Sequence, residues 1–246
     1  MARLSIELLG PFQVSLDGRP VTGFGYDHVR ALLAFLAAEN DRPHRRDRLA
    51  GLLWPDQPHT QALSNLRYAL YRLRKAIGDA AAEPCCLLIT RQTLQFNTAS
   101  DHRLDLSDFV RHLEEARLPG PQPSSTEHLE AAVRLYRGVL LEGFTLSDSP
   151  LFEEWLVLKR EHLAQQILAA LHRLLELRTA SGQYEAAERA ARRLLTLEPW
   201  DEEAHRRLMS LLALTGRRSA AVAQYQSCER TLAAELGVAP DDRTTT

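Results

Sequence analysis

The side chains best equipped for chemistry lie on one short stretch, Gln61 to Lys75. Arg67, Arg72, Arg74 and Lys75 are interleaved there with Gln61, Ser64, Asn65, Tyr68 and Tyr71, and no carboxylate occurs between Asp56 and Asp79. Arginine and lysine neutralise phosphates, asparagine and glutamine can pair with adenine edges, and arginine can pair with guanine. A helix that needed only solubility would mix signs, pairing Glu with Lys or Arg at four-residue spacing. The pattern points to contact with duplex DNA; a solvated or protein-facing helix is the alternative.

Placed at 100° per residue, Leu63, Leu66, Leu70, Leu73 and Ile77 fall within an arc of about 80°. That arc is the expected buried stripe. Gln61, Ser64, Asn65, Tyr68, Tyr71, Arg72 and Lys75 occupy the opposite arc, flanked by Arg67 and Arg74. The surrounding charge agrees. From Arg42 to Lys75 there are eight cations against two carboxylates, a net of +6, whereas the chain carries −2 overall and −5 from Asp101 onward. A basic block in an otherwise acidic chain suggests a local surface for a polyanion.

Several elements must position that helix. "LSIELLG" and "FQVSLDGRPV" read as short strands, with Asp17-Gly18 as a tight hairpin turn. "YDHVRALLAFLAAEN" changes to helical spacing, burying Val29, Leu32, Leu33, Leu36 and Ala37. "RPHRRDRLAGLLWPD" predicts a second short helix that ends before Pro55. The basic helix follows and stops at Gly78. "CCLLITRQTLQFNT" then predicts a hairpin with Arg91-Gln92 near its tip and Cys85 and Cys86 on a strand. A short basic helix, a turn, a longer basic helix and a hairpin make a winged helix-turn-helix. In that arrangement Gln61, Ser64, Asn65 and Tyr68 approach bases, and Arg72, Arg74 and Lys75 reach the backbone. Arg45, Arg46 and Arg48 sit where the first helix crosses phosphates, and Arg91, with Gln92, probes the adjacent minor groove or backbone.

The remainder reads as helix. "LDLSDFVRHLEEA" and "EHLEAAVRLYRGVLL" are two helices separated by a loop, "GPQPSST" (120–126). Ser149-Pro150 marks the start of a long helix running to about Thr179. Gly182 and Gly216 then open similar segments 34 residues apart, with small residues at Ala186, Ala187 and Ala220 and Pro199 before an intervening helix. That period matches the tetratricopeptide pattern. The expected fold is therefore mainly α: a winged helix-turn-helix (α+β) over 1–99, then an all-α tetratricopeptide-like domain over 100–246.

In order and content, "LLGPFQVSLDGRPV", "RALLAFLA", "RDRLAGLLWPD" and "ALSNLRYALYRLRKAIG" resemble the OmpR-type DNA-binding domain of SARP-type (antibiotic-regulatory) activators. "DLSDFVRHLEEA", "LYRGVLLEGF", "FEEWLVLKREHL" and "AAELGVAP" resemble the bacterial transcriptional activation domain that follows it, so the resemblance covers nearly the whole chain. It implies a regulator that binds direct repeats in promoters and uses its helical domain for dimerisation and contact with RNA polymerase. It places Ser64, Asn65, Arg67, Tyr68, Arg72 and Lys75 on the recognition helix and makes Leu53-Trp54 a core pair that does not read DNA. Many relatives carry Gly-Tyr in the wing, where this chain has "TRQTLQFN". That variant is similar to larger regulators in which the same two domains precede a nucleotide-binding switch and further repeats. Relatives usually continue beyond a segment like "AAELGVAPDDRTTT", so a shortened or naturally short regulator is expected.

Other chemistry finds little support. The nine histidines form no HExxH and no H-x-x-x-H beside cysteines, and three cysteines give no metal spacing. Gly23-Phe24-Gly25 lacks a Rossmann context, and there is no GxxxxGK[ST] loop. Glu114-Glu115, Glu153-Glu154 and Glu202-Glu203 are adjacent pairs that diverge on a helix and read as solvated faces. No catalytic residue, cofactor or metal ligand is expected, nor any membrane association. The N-terminus lacks a signal peptide, which suggests a cytoplasmic protein. The rival reading is a protein-interaction scaffold or sensor module built on the repeats.

Overall fold

The computed structural model describes residues 4–118 and 122–245. They form two compact units, Met1–Arg111 with Leu135–Leu163, and His112–Arg134 with Ala164–Thr246.

The first unit begins with β1 (Leu4–Glu7) and β2 (Gln13–Leu16), antiparallel with Leu4 opposite Leu16 and Ile6 opposite Val14. The two-residue alternation sends Leu4 and Ile6 into the core. β3 (Arg19–Pro20) returns through Asp17 and Gly18, whose φ values of 50° and 77° supply the left-handed pair a two-residue hairpin needs. α1 (Asp27–Ala38) is buried at every position from Ala31 to Ala37, as befits a helix packed on more than one side. β4 (His44–Arg45) leads directly into α2 (Arg46–Leu53). α3 (His59–Ala76) follows, and Gly78, at φ 65°, lets the chain turn away from its end. β5 (Leu87–Ile89) and β6 (Thr93–Phe96) form the expected hairpin, and β4 adds to it, giving the order β4-β6-β5. β7 (His102–Leu104) pairs in parallel with β1 and completes a sheet ordered β3-β2-β1-β7. The unit is a winged helix-turn-helix.

Five expectations change here. Arg45 lies on a strand, because His44 and Arg45 pair with Leu94 and Thr93. Leu63 is half-exposed, and Ala62 and Ala69 take its place in the buried stripe beside Leu66, Leu70 and Leu73. Cys85 and Cys86 precede β5 instead of lying on it. The helix expected through Leu141 is α5 (Gln122–Leu135), which stops short of Arg137-Gly138. The released chain is claimed by the first unit. The Leu141 N–H donates to Leu8 O at 2.8 Å, and the Glu142 N–H donates to Gly10 O at 2.9 Å. Arg137 ion-pairs with Glu7 and donates to Asp105 at 3.0 Å. Asp105, at the start of α4 (Asp105–Arg117), also accepts from the Leu8 and Leu9 N–H groups at 2.8 and 3.0 Å. α5 itself begins where a loop over 120–126 was expected. Residues 120–121 lie outside the described residues, and Pro123 falls in the first turn, where a missing N–H is harmless.

A buried aspartate joins α3 to the wing. Asp79 is 2% exposed and accepts from the Cys86 and Leu87 N–H groups at 2.8 and 3.1 Å and from Arg74 Nε at 3.0 Å. Leu53 is fully buried, and Trp54 stacks on His28 with ring centroids 4.9 Å apart, so this pair does pack the core.

α6 (Pro150–Ala180) starts at the expected Ser149-Pro150, although the Ser149 hydroxyl donates to Leu52 O and its carbonyl meets the first turn. The second unit contains α7 (Tyr184–Leu197), α8 (Glu202–Leu214), α9 (Arg218–Glu235) and the short α10 (Asp242–Thr245). Ala187, Ala190, Ala191 and Leu194 of α7 and Ala204, Leu208, Leu211 and Leu212 of α8 are buried, so small side chains allow close helix approach. Ala186 and Ala220 are half-buried. Asp201 caps α8 by accepting from the Ala204 N–H at 2.9 Å, and an ion pair joins Arg217 to Glu188 across successive repeats. His205 bridges Pro199 O and the Gln224 amide at 3.0 and 2.7 Å, tying α8 to α9.

Two predictions follow from these buried charges. Asp79→Ala strands two buried N–H groups and should cost about 2–4 kcal/mol in urea unfolding; a change under about 0.5 kcal/mol would refute its anchoring role. His172 and Asp201 form an ion pair at 2.8 Å. The carboxylate raises the His172 pKa against the opposing effect of burial. Burial raises the Asp201 pKa, but the His172 contact and the α8 N–H groups outweigh it and hold the carboxyl below its usual value. The raised histidine contributes stability that is complete below its ordinary value of 6.5 and lost as pH rises through the folded value. The lowered carboxyl contributes stability that is complete above 3.8 and lost as pH falls further. The pair is thus strongest between those values and fades toward alkaline pH. His172→Gln should flatten the decline in unfolding free energy as pH rises above 6.5, and identical slopes in both proteins would rule the pair out.

Candidate nucleic-acid interface

One buried stripe fixes the direction of every other side chain on α3. Leu66, Leu70, Leu73 and Ile77 are at most 7% exposed, so the opposite arc must face outward. Gln61, Ser64, Arg67, Tyr68, Tyr71, Arg74 and Lys75 are exposed, and Asn65 and Arg72 are half-exposed. Tyr68 and Tyr71 are 54% and 61% exposed, which is unusual for large rings on a helix that needs only a core.

Several of these groups are pre-ordered. The Gln61 amide donates to Asn65 Oδ1 at 3.0 Å, so these two side chains are held together on the exposed face. Tyr68 stacks on Tyr26, the residue just before α1, with centroids 6.2 Å apart and ring planes 12° apart. Burial and the neighbouring Tyr68 raise the Tyr26 phenol pKa, and Arg72 opposes them. Arg72 itself packs over Gly25, where an added Cβ would lie 2.3 Å from its guanidinium. Tyr26 was not expected at this surface. The helical signal of α1 begins just after it, and a side chain preceding a helix has no periodicity to reveal it.

The second helix and the wing converge on the same place. The Arg46 N–H donates to Gln92 O at 2.9 Å, and its Nε donates to Thr90 O at 3.1 Å. Burial lowers the Arg46 pKa first, and the nearby Arg67 lowers it further. Arg67 of α3 is therefore near enough to Arg46 of α2 for their charges to interact. The turn is tied by the Thr90 hydroxyl, which accepts from the Gln92 and Thr93 N–H groups at 3.1 and 2.9 Å and leaves Arg91 exposed at the tip. Arg48 is exposed on α2. Arg45 is exposed at the start of α2 and meets Asp47 at 3.5 Å, and Asp47 also meets His59 at 3.2 Å. Arg74 is exposed on the same side of α3 as Arg67, but its Nε is held by Asp79. Arg67 and Lys75 have no ion-pair partner among the described residues. Together these groups present a surface of cations, amides and phenols able to meet phosphates and base edges.

The fold thus defines a winged-helix module followed by tetratricopeptide-like helices, an arrangement used by bacterial regulators. The family model described as the bacterial transcriptional activator domain matches residues 104–246, and the chain belongs to that family. It is 30% identical over 241 residues to the transcriptional regulatory protein EmbR of Mycobacterium tuberculosis, covering 97% of this chain and 60% of EmbR. It is 29% identical over 240 residues to the regulatory protein AfsR of Streptomyces coelicolor, covering 96% of this chain and 23% of AfsR. A solved structure, Mycobacterium tuberculosis EmbR in complex with a low-affinity phosphopeptide, superposes with a TM-score of 0.74 at 28% identity over 100% of this chain and 64% of that one. The chain therefore spans about 60% of EmbR's length. No helix among the described residues is long and apolar enough to cross a membrane.

Arg46→Met should loosen the wing. Amide exchange at Gln92 and Thr93 is expected to accelerate while global stability falls by about 1 kcal/mol or less. Unchanged exchange would show that the arginine does not order the turn.

Proposed function

We propose that this chain is a sequence-specific DNA-binding transcriptional regulator of the SARP type, acting as an activator in the cytoplasm. Residues 1–99 bind direct repeats in promoters. Residues 100–246 contact RNA polymerase and pair with a second copy on adjacent repeats. The start of the family match at residue 104 supports that division. The observation that carries the reading is the exposed, carboxylate-free face of α3 beside a wing turn that Arg46 of α2 holds through Thr90 O and Gln92 O.

In this reading α3 enters the major groove. Gln61, Ser64, Asn65 and Tyr68 meet bases, and Arg67, Arg72 and Lys75 meet backbone or guanine. Arg45, Arg46 and Arg48 hold the phosphates crossed by α2, and Arg91 reaches the flanking backbone or minor groove. Arg74 supports α3 through Asp79 and offers the backbone only its remaining guanidinium N–H groups. No enzymatic step, cofactor or membrane is needed.

A scaffold reading draws on one observation. α9 buries only Cys228 and Leu232, leaving most of its surface available to a partner. The two readings differ at low salt, where a scaffold binds no duplex.

Selection from a random duplex pool supplies the bound sequence and its half-site spacing. On that duplex, affinity should fall by roughly 10³-fold or more between 50 and 200 mM salt if six or more phosphates are contacted. Asn65→Ala should relax preference at about one base position, whereas Lys75→Ala should weaken all duplexes alike and reduce the salt slope by about one. Equal loss of specificity in both variants would overturn the residue assignments, and absence of binding at low salt would overturn the function.

A further inference from the structure

Outside the basic surface, the second unit gathers three metal-ligating side chains. His112 and Glu115 lie three residues apart on α4, one turn along the same face, and His128 approaches from α5. His112 Nδ1 is 3.0 Å from His128 Nδ1. The same Glu115 carboxylate oxygen, Oε2, is 3.0 Å from His128 Nδ1 and 3.6 Å from His112 Nδ1. Three electron-rich atoms thus form a triangle with edges of 3.0, 3.0 and 3.6 Å. A proton or a metal ion held among them would bind the three atoms together.

The dimensions also suit a metal ion. Ligands 2.0–2.1 Å from a tetrahedral zinc ion stand about 3.4 Å apart, close to all three edges. Two imidazoles and a carboxylate are a borderline set suited to a divalent first-row transition ion. The three side chains are 20%, 35% and 32% exposed, which leaves room for ion entry and for water at a fourth position. No motif announces the group, because His112 and His128 are sixteen residues apart and meet only when α4 and α5 pack. Glu115 had read as half of a solvated acidic pair.

We propose that His112, Glu115 and His128 form a three-ligand site for a divalent transition-metal ion, zinc being the best fit, which clamps α4 to α5 in the second unit. The ion adds bonds that the unfolded chain lacks, so the folded state gains stability from it. This site stands independently of the DNA-binding reading.

The test is a cobalt(II) titration of the whole chain after chelator stripping, read by the visible bands of tetrahedral cobalt. One equivalent should saturate the spectrum, and zinc should displace it. Zinc near 100 times its Kd should raise the melting temperature by about 5 °C. His112→Ala and His128→Ala should each lose the spectrum and the melting shift, while Cys85→Ser and Cys86→Ser keep both. If an alanine variant fails to fold, Glu115→Gln reports instead, with at least tenfold weaker uptake. A chain that takes up no cobalt or zinc holds a shared proton only, and that result overturns the proposal. So does full uptake by the double histidine variant.

Discussion

Burial of one stripe of α3 is the constraint on which the first unit's surface depends. A helix cannot bury Leu66, Leu70, Leu73 and Ile77 without fixing what the opposite arc presents. Each of these side chains contributes about 1.5–3 kcal/mol by leaving water, which far exceeds any preference of the surface residues for another orientation. The apolar stripe orients the helix, and the polar arc is free to carry chemistry that adds nothing to folding. Asp79 completes the placement by pinning both the end of α3 and the start of the wing strand to one carboxylate. α3 and the wing thereby share an anchor.

The same surface carries an electrostatic cost. Arg46 is partly desolvated, and the nearby Arg67 adds to the cost of its charge. Elsewhere the molecule pairs its arginines readily: Arg206 and Arg207 share Glu203, and Arg192 and Arg217 share Glu188. Arg46 and Arg67, which have no ion-pair partner among the described residues, contrast with that practice. An arriving phosphate would relieve the repulsion, so the arrangement makes sense as half of a charge-complementary interface.

Features governed by local physics were legible in the sequence. The leucine period of α3, the Asp17-Gly18 turn and the two glycines 34 residues apart each act through neighbouring backbone or one helix face. Features set by long-range contact were not. β4 and β7 are strands of two and three residues that exist because β6 and β1 supply partners. The helix expected over Arg137–Leu141 yields to ties with Leu8, Gly10 and Asp105, a loss of helix that no propensity predicts. On the surface, the outward residues of α3 follow from its period. Tyr26, and the diversion of Arg74 to Asp79, required the assembled fold.

The most direct measurement of the central claim, that the carboxylate-free face of α3 lies in the major groove, is methylation interference on a duplex that the chain selects. Methyl groups at guanine N7 mark the major groove, and those at adenine N3 mark the minor groove. Guanine N7 methylation should block binding at the centre of each half-site, with adenine N3 interference confined to the flanks reached by the wing. Interference only at adenine N3, or none at any position, would contradict the account.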